Sequence, residues 1–135
     1  MSSMQNSHQT SKDKKGLSFQ QKIFLKLADK KKVTIPRSFM RLTGDIETAA
    51  FLSQLIYWSD KGKRQDGWIY KSDKEWKEEL FISRYAIRKA RKKLKDMGIL
   101  ETRIKRANGS PTVHYKLNGK ELFAALMICD IEKAQ

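Results

Sequence analysis

Residues 72–117 read SDKEWKEELFISRYAIRKARKKLKDMGILETRIKRANGSPTVHYKL, and this stretch decides the fold. Ser72 and Glu75 have the Ser-x-x-Glu spacing of a capping box, in which each side chain satisfies an orphan amide, so a helix starts here. Trp76 and Leu80 lie one turn apart on its apolar face, and it stops near Phe81–Ile82. Ser83 caps a second helix running to Gly98, a natural residue just past a helix end. So short a gap between two helices is a helix-turn-helix spacing. Leu100, Thr102 and Ile104 then alternate with Glu101, Arg103 and Lys105. Val113, Tyr115 and Leu117 alternate with Thr112, His114 and Lys116. The Asn108-Gly109 turn joins these runs into a β-hairpin with one face of each strand inward. A hairpin straight after a helix-turn-helix is a wing, and His114 is expected on its outward face.

The helix from Ser83 to Met97 carries the functional signal. Ile87, Ala90, Leu94 and Met97 form one apolar stripe, and cations recur away from it. B-DNA's major groove admits such a helix, where Arg pairs with guanine and Lys neutralises phosphate. The N-terminal part of a second helix sits deepest, which places Ser83, Arg84, Tyr85 and Arg88 nearest the bases. Lys92, Lys93 and Lys95 are expected nearer the backbone, Lys89 widens the polar face, and Arg91 suits either role. The wing adds Arg103, Lys105 and Arg106, with Asn108 at its tip, within reach of phosphates or a minor groove. Residues 83–106 hold ten Arg or Lys against Asp96 and Glu101, more than half of the chain's net charge of +14. Charge concentrated in this way reads as a binding footprint.

Outward from this core, Trp68-Ile69-Tyr70 is β-prone and suits a third strand. Asp45 caps an upstream helix whose residues Ile46 to Tyr57 are apolar on nearly every face, as in a central helix. Lys61–Gly67 reads as a loop. Pro36 suits the first turn of a short helix ending at Gly44. Phe19, Ile23, Phe24 and Leu27 outline an amphipathic segment ending in the charge run Asp29–Lys32. Residues 1–16 read as a disordered basic arm. Lys120 to about Lys133 reads as a terminal helix, apolar nearly all round. Leu122, Phe123, Leu126 and Met127 make it a candidate homodimer or partner-docking face, unless it closes over its own core. The expected fold class is mainly α with a small β-sheet (α+β): a winged helix-turn-helix with extra N-terminal helices and a C-terminal helix. The expected divisions are 1–16, 17–118 and 119–135.

Composition excludes other classes. The single Cys129, expected buried, rules out an internal disulfide framework, and with two His the common zinc sites are out too. There is no long apolar run for a membrane span and no leader-like N-terminus, so a cytoplasmic protein is expected. Asp73, Glu75, Glu78 and Glu79 fit a first-turn dipole bias and an exposed helix face better than a metal site. Trp58, Trp68 and Trp76 sit in apolar patterns and read as core. No phosphate-cradling loop, nucleophile elbow or metalloprotease motif occurs, so neither an enzyme nor a cofactor or metal is expected. A pI near 10 points to a polyanionic partner, double-stranded DNA first.

The runs LTGDIETAAFLSQLIYWSDKG (42–62) and DGWIYKSDKEW through VHYKL (66–117) resemble the winged-helix domains of replication-associated proteins of phages, plasmids and mobile elements. The N-terminal domain of DnaD-type primosome proteins and phage replisome organisers is the nearest comparison, over roughly residues 33–118. The resemblance implies a winged helix, DNA binding and often self-association. It implies DNA contacts at Arg84, Arg88 and Lys92 and, in the wing, Arg106 and Asn108. The expected function is therefore replication initiation or its control. The alternatives are a dimeric transcriptional regulator of the same fold and a module docking on a replication enzyme.

Overall fold

A computed structural model describes residues 16–27, 32–61 and 66–134. The expected arm except Gly16, most of the 29–32 charge run and the centre of the 61–67 loop lie outside the described residues. The chain divides into two compact units, Met1–Lys32 and Val33–Gln135. In the first, α1 spans Phe19–Leu27. Ser18 starts it with a reciprocal cap: its hydroxyl accepts from the Gln21 amide at 3.1 Å, and the Gln21 side chain accepts from the Ser18 amide at 2.9 Å.

The second unit opens with α2 (Arg37–Thr43), for which Pro36 sits at the N-cap. Gly44 ends it at φ 83°, a left-handed conformation that costs glycine no steric clash. Asp45 then caps α3 (Ile46–Lys61), accepting from the Thr48 amide at 2.7 Å. As its all-round apolar pattern requires, α3 runs through the core, with Ala49, Phe51, Leu52 and Leu55 sealed from solvent. Next come β1 (Trp68–Tyr70), α4 (Asp73–Leu80), α5 (Arg84–Asp96), β2 (Leu100–Ala107), β3 (Ser110–Leu117) and α6 (Gly119–Ala134). The Ser72–Glu75 capping box starts α4, and Ser83 caps α5 by accepting from the Ala86 amide at 3.0 Å. The three strands are antiparallel in the order β1-β3-β2. Asn108 (φ 54°) and Gly109 (φ 82°) make the tight hairpin turn, which needs positive φ at both positions. The fold is α+β, a winged helix-turn-helix built on α3.

Its centre is aromatic. Trp76 of α4 is fully buried, with ring centroids 4.6 Å from Phe51 and 5.8 Å from Tyr115. Ile87, Ala90 and Leu94 of α5 join this cluster, seating the second helix of the motif directly on the core.

Five details of packing differ from the sequence reading. Cys129, expected buried, is only half-buried. His114 is buried, not outward, with 3% of its surface exposed. β1 pairs alongside β3 and brings Tyr70 opposite it, ring centroids 5.2 Å apart, while Nδ1 lies 3.0 Å from the Thr112 carbonyl oxygen. Ile104, expected inward, is 71% exposed because the hairpin outruns the core. In α6, Leu122 is buried in its own chain's core, which removes it from a free face; Leu126 is half-buried against that core, and Phe123 and Met127 stay exposed. Among the acidic residues of α4, Asp73 and Glu79 are not solvent-facing: their side chains are 18% and 19% exposed.

Glu79 closes a polar network behind the motif. It accepts from Trp58 Nε1 at 2.9 Å and also meets the Gln54 amide and the Lys71 ammonium. Lys71 in turn lies over the Trp58 ring, 4.1 Å from its centroid. Burial by itself would raise the Glu79 carboxyl, yet the bonds from Gln54, Lys71 and Trp58 hold it below its ordinary value. Asp45 shows the same balance: burial raises it, while Lys93 and Thr48 bring it below its ordinary value. A carboxylate depressed on folding stabilises the native state above its unfolded pKa, and that contribution is lost as pH falls through the folded pKa. Thermal melts should therefore show stability falling below about pH 4.5. Glu79→Gln should show a smaller fall between about pH 5 and about pH 3 than the wild type. Equal falls in the two proteins would place the acid sensitivity elsewhere.

Candidate nucleic-acid interface

A helix turns about 100° per residue. On α5 this gathers Ala86, Ile87, Ala90 and Leu94 on the core side, all buried. Tyr85, Arg88 and Lys92 come to the opposite crest, with Arg84, Lys89 and Lys95 beside them; all six are exposed. Arg91 and Lys93 fall on the two margins, between crest and core.

The margins behave differently from the crest. Arg91 donates from Nη1 to Asp73 Oδ1 at 2.8 Å and to the Tyr115 hydroxyl at 2.6 Å, with 15% of its side chain exposed. It thereby links α4, α5 and β3. Burial works against its charge, but Asp73 and Tyr115 outweigh burial and raise its pKa. Burial likewise raises the Tyr115 phenol. Lys93 donates from Nζ to the Thr43 carbonyl at 2.7 Å and to Asp45 Oδ2 at 2.8 Å, which fastens α5 to the α2–α3 corner. By sequence alone Lys93 falls to the DNA backbone and Arg91 to either role. Both side chains are instead engaged inside the protein.

The crest is loosely paired. Lys92 meets Asp96 at 2.9 Å, but both side chains are mostly exposed, and such pairs contribute little and part readily. Arg84 lies 3.8 Å from Asp73 with 69% of its side chain exposed. Among the described residues Arg88, Lys89 and Lys95 have no ion-pair partner. Arg88, Lys92 and Lys95, with Arg91 and Asp96, line an open depression on this face. The Ser83 oxygen is occupied as a cap acceptor, which leaves its proton free to donate.

In the wing, the Arg103 guanidinium stacks over Trp68, 3.9 Å from the ring centroid. The stack sets the direction in which its charge is presented. Lys105 is exposed, and Arg106 Nη2 reaches the Gly109 carbonyl at 3.4 Å, close to the tip that Asn108 shapes. Helix and wing therefore both present cations to solvent, with the aromatic core holding each.

One exposed residue next to this surface escaped the sequence reading. Phe81 ends α4 at φ 56°, ψ 38°, and 90% of its surface is exposed. An apolar residue at a helix end reads as core, and no sequence pattern reports its backbone conformation. The described residues hold no group of three or more His, Cys, Asp or Glu placed to bind a metal ion. None of their helices is long and apolar enough to cross a membrane.

No protein-family model matches the chain, and no curated protein sequence matches it. Among solved structures, a possible transcriptional regulator from Methanosarcina mazei Go1 is similar over 73% of this chain and 78% of its own, with 15% identity and a TM-score of 0.49.

Proposed function

We propose that this protein binds double-stranded DNA, with α5 in the major groove and the β2–β3 wing on the backbone or an adjacent minor groove. The observation that carries the reading is the crest of α5. Five exposed cations, Arg84, Arg88, Lys89, Lys92 and Lys95, stand on a helix whose opposite face is locked into the core. A rigid cationic helix of this kind is what groove docking needs. Ser83, Arg84, Tyr85 and Arg88 are the proposed base-proximal residues. Lys89, Lys92 and Lys95 are the proposed phosphate contacts, joined by Lys105, Arg106 and Asn108 in the wing. Arg103 is proposed to present its charge from the Trp68 ring.

The protein acts, on this reading, as a DNA-binding regulator. Control of transcription and control of replication initiation divide on the footprint. A sharp two-fold symmetric footprint belongs to an operator-binding dimer, for which Phe123 and Met127 remain the exposed candidates on α6. Protection of repeated sites, or of DNA with little sequence preference, belongs to a replication role. Replication initiation itself rests on the sequence resemblance, and docking on a replication enzyme rests on the apolar residues of α6.

The test is fluorescence anisotropy on a random-sequence duplex and its matched single strand across a salt series. About six phosphate contacts should cost roughly a thousandfold in affinity between about 50 and about 200 mM salt. Affinity for the duplex with that slope supports the reading. Absence of binding to either strand form at low salt would overturn it, because the non-specific electrostatic component needs no particular site.

A further inference from the structure

We propose that Phe81, at the turn of the helix-turn-helix, is an apolar DNA contact that reads the 5-methyl group of thymine. The inference rests on the DNA-binding reading above. It begins with a residue that is twice unfavourable in the free protein. Phe81 occupies the left-handed region, where the Cβ of any residue but glycine crowds the following carbonyl. Glycine is the usual residue at this point beyond a helix, since it meets no such clash. The aromatic ring also stays in water, with 90% of the residue exposed. A lone exposed phenylalanine is ordinary on a protein surface. An exposed phenylalanine held in a backbone conformation that disfavours it is not, and such outliers gather at functional sites.

The local sequence explains how it is held. Leu80 and Ile82 on either side pack against the core, which leaves the side chain between them directed away from it. The Phe81 amide donates to the Lys77 carbonyl at 2.8 Å and closes α4, and Ser83 opens α5 two residues later. Phe81 is thus fixed just ahead of the helix end that enters deepest into a major groove. Tyr85, in the first turn of α5 between Arg84 and Arg88, is 76% exposed, so aromatic surface also stands beside these cations. Phosphate neutralisation has no use for such surface. The thymine methyl is the apolar feature of the major-groove edge, and phenylalanine is one of the side chains that contact it.

The experiment compares two duplexes of one sequence, one made with thymine and one with uracil, which differ only in the methyl group. Wild type and Phe81→Gly, each as the full chain, are titrated with both across the same salt series. Wild type should bind the thymine duplex roughly fourfold more tightly, the worth of one buried methyl group. The glycine variant should bind both duplexes alike, near the wild-type affinity for uracil DNA. Its salt slope should be unchanged, since no charge is lost, and its melting temperature should not fall, since glycine relieves the turn. A variant that still discriminates as the wild type does overturns the Phe81 contact and leaves DNA binding standing. So does a wild type that binds both duplexes equally with a steep salt slope. Failure of the wild type to bind either duplex overturns DNA binding, and the Phe81 contact with it.

Discussion

A chain carrying Arg84→Ala, Arg88→Ala and Lys92→Ala together is expected to bind duplex DNA about a hundredfold less tightly at about 0.15 M salt. On a random-sequence duplex, where no matched bases are offered, Arg84 and Arg88 neutralise phosphate as Lys92 does; each such contact releases about 0.9 of a condensed cation, worth about fivefold at that salt, so three together give roughly this loss. The slope of log affinity on log salt should fall by about 2.7, and this second readout separates lost ion contacts from lost shape. The fold should be unaffected. The Arg84 and Lys92 side chains are 69% and 77% exposed, Arg88 is exposed too, and alanine is the better helix former. The variant's melting temperature is therefore its own control. An unchanged salt slope in a well-folded variant would remove α5 from the DNA-binding surface and leave the wing to explain any binding that persists.

Trp76→Ala should be the most damaging single substitution for stability. The side chain is fully buried and packs against Phe51 and Tyr115, which tie α3 and β3 to α4. Truncating a buried Trp costs about 3–5 kcal/mol in transfer and cavity terms. A small domain has only about 5–15 kcal/mol in total. For a unit of this size the melting temperature should drop by roughly 15–30 °C. Scanning calorimetry of the two proteins at one pH measures it. A fall of only a few degrees would mean that the neighbouring rings close the space, and that the aromatic centre is less tightly packed than its buried rings indicate.

Much of this architecture is legible in the chain because it depends on neighbours in sequence. The Ser72–Glu75 and Ser83 caps, the Gly98 stop and the Asn108-Gly109 turn are each local, and each appears where the pattern puts it. The stripe of Ile87, Ala90 and Leu94 is local too, being a matter of helical period. What sequence hid was set by distant partners. Lys93 looks like any crest lysine until Asp45, on another helix, comes to meet it. Arg91 takes its role from Asp73 on one side and Tyr115 on the other. His114 obeys the alternation of its strand, but β1 lies alongside and its Tyr70 ring covers the outer face. The acidic residues of α4 read as one exposed cluster, whereas Gln54, Trp58 and Lys71 draw Glu79 out of it. In Phe81 the missing information is a dihedral angle rather than a partner.

The clamped margins of α5 give ionic strength two opposite effects on one helix. At about 0.15 M the Debye length is about 8 Å, long enough to leave the contact pairs of Arg91 and Lys93 nearly unscreened. Those pairs are 2.8 Å long and only partly exposed. The crest cations repel one another through water, and added electrolyte relieves that repulsion. Brine should thus loosen the proposed polyanion along the crest while the seat of the helix stays fastened. If the protein binds nucleic acid as proposed, a salt wash at the bench should strip carried-over polyanion and return the protein folded.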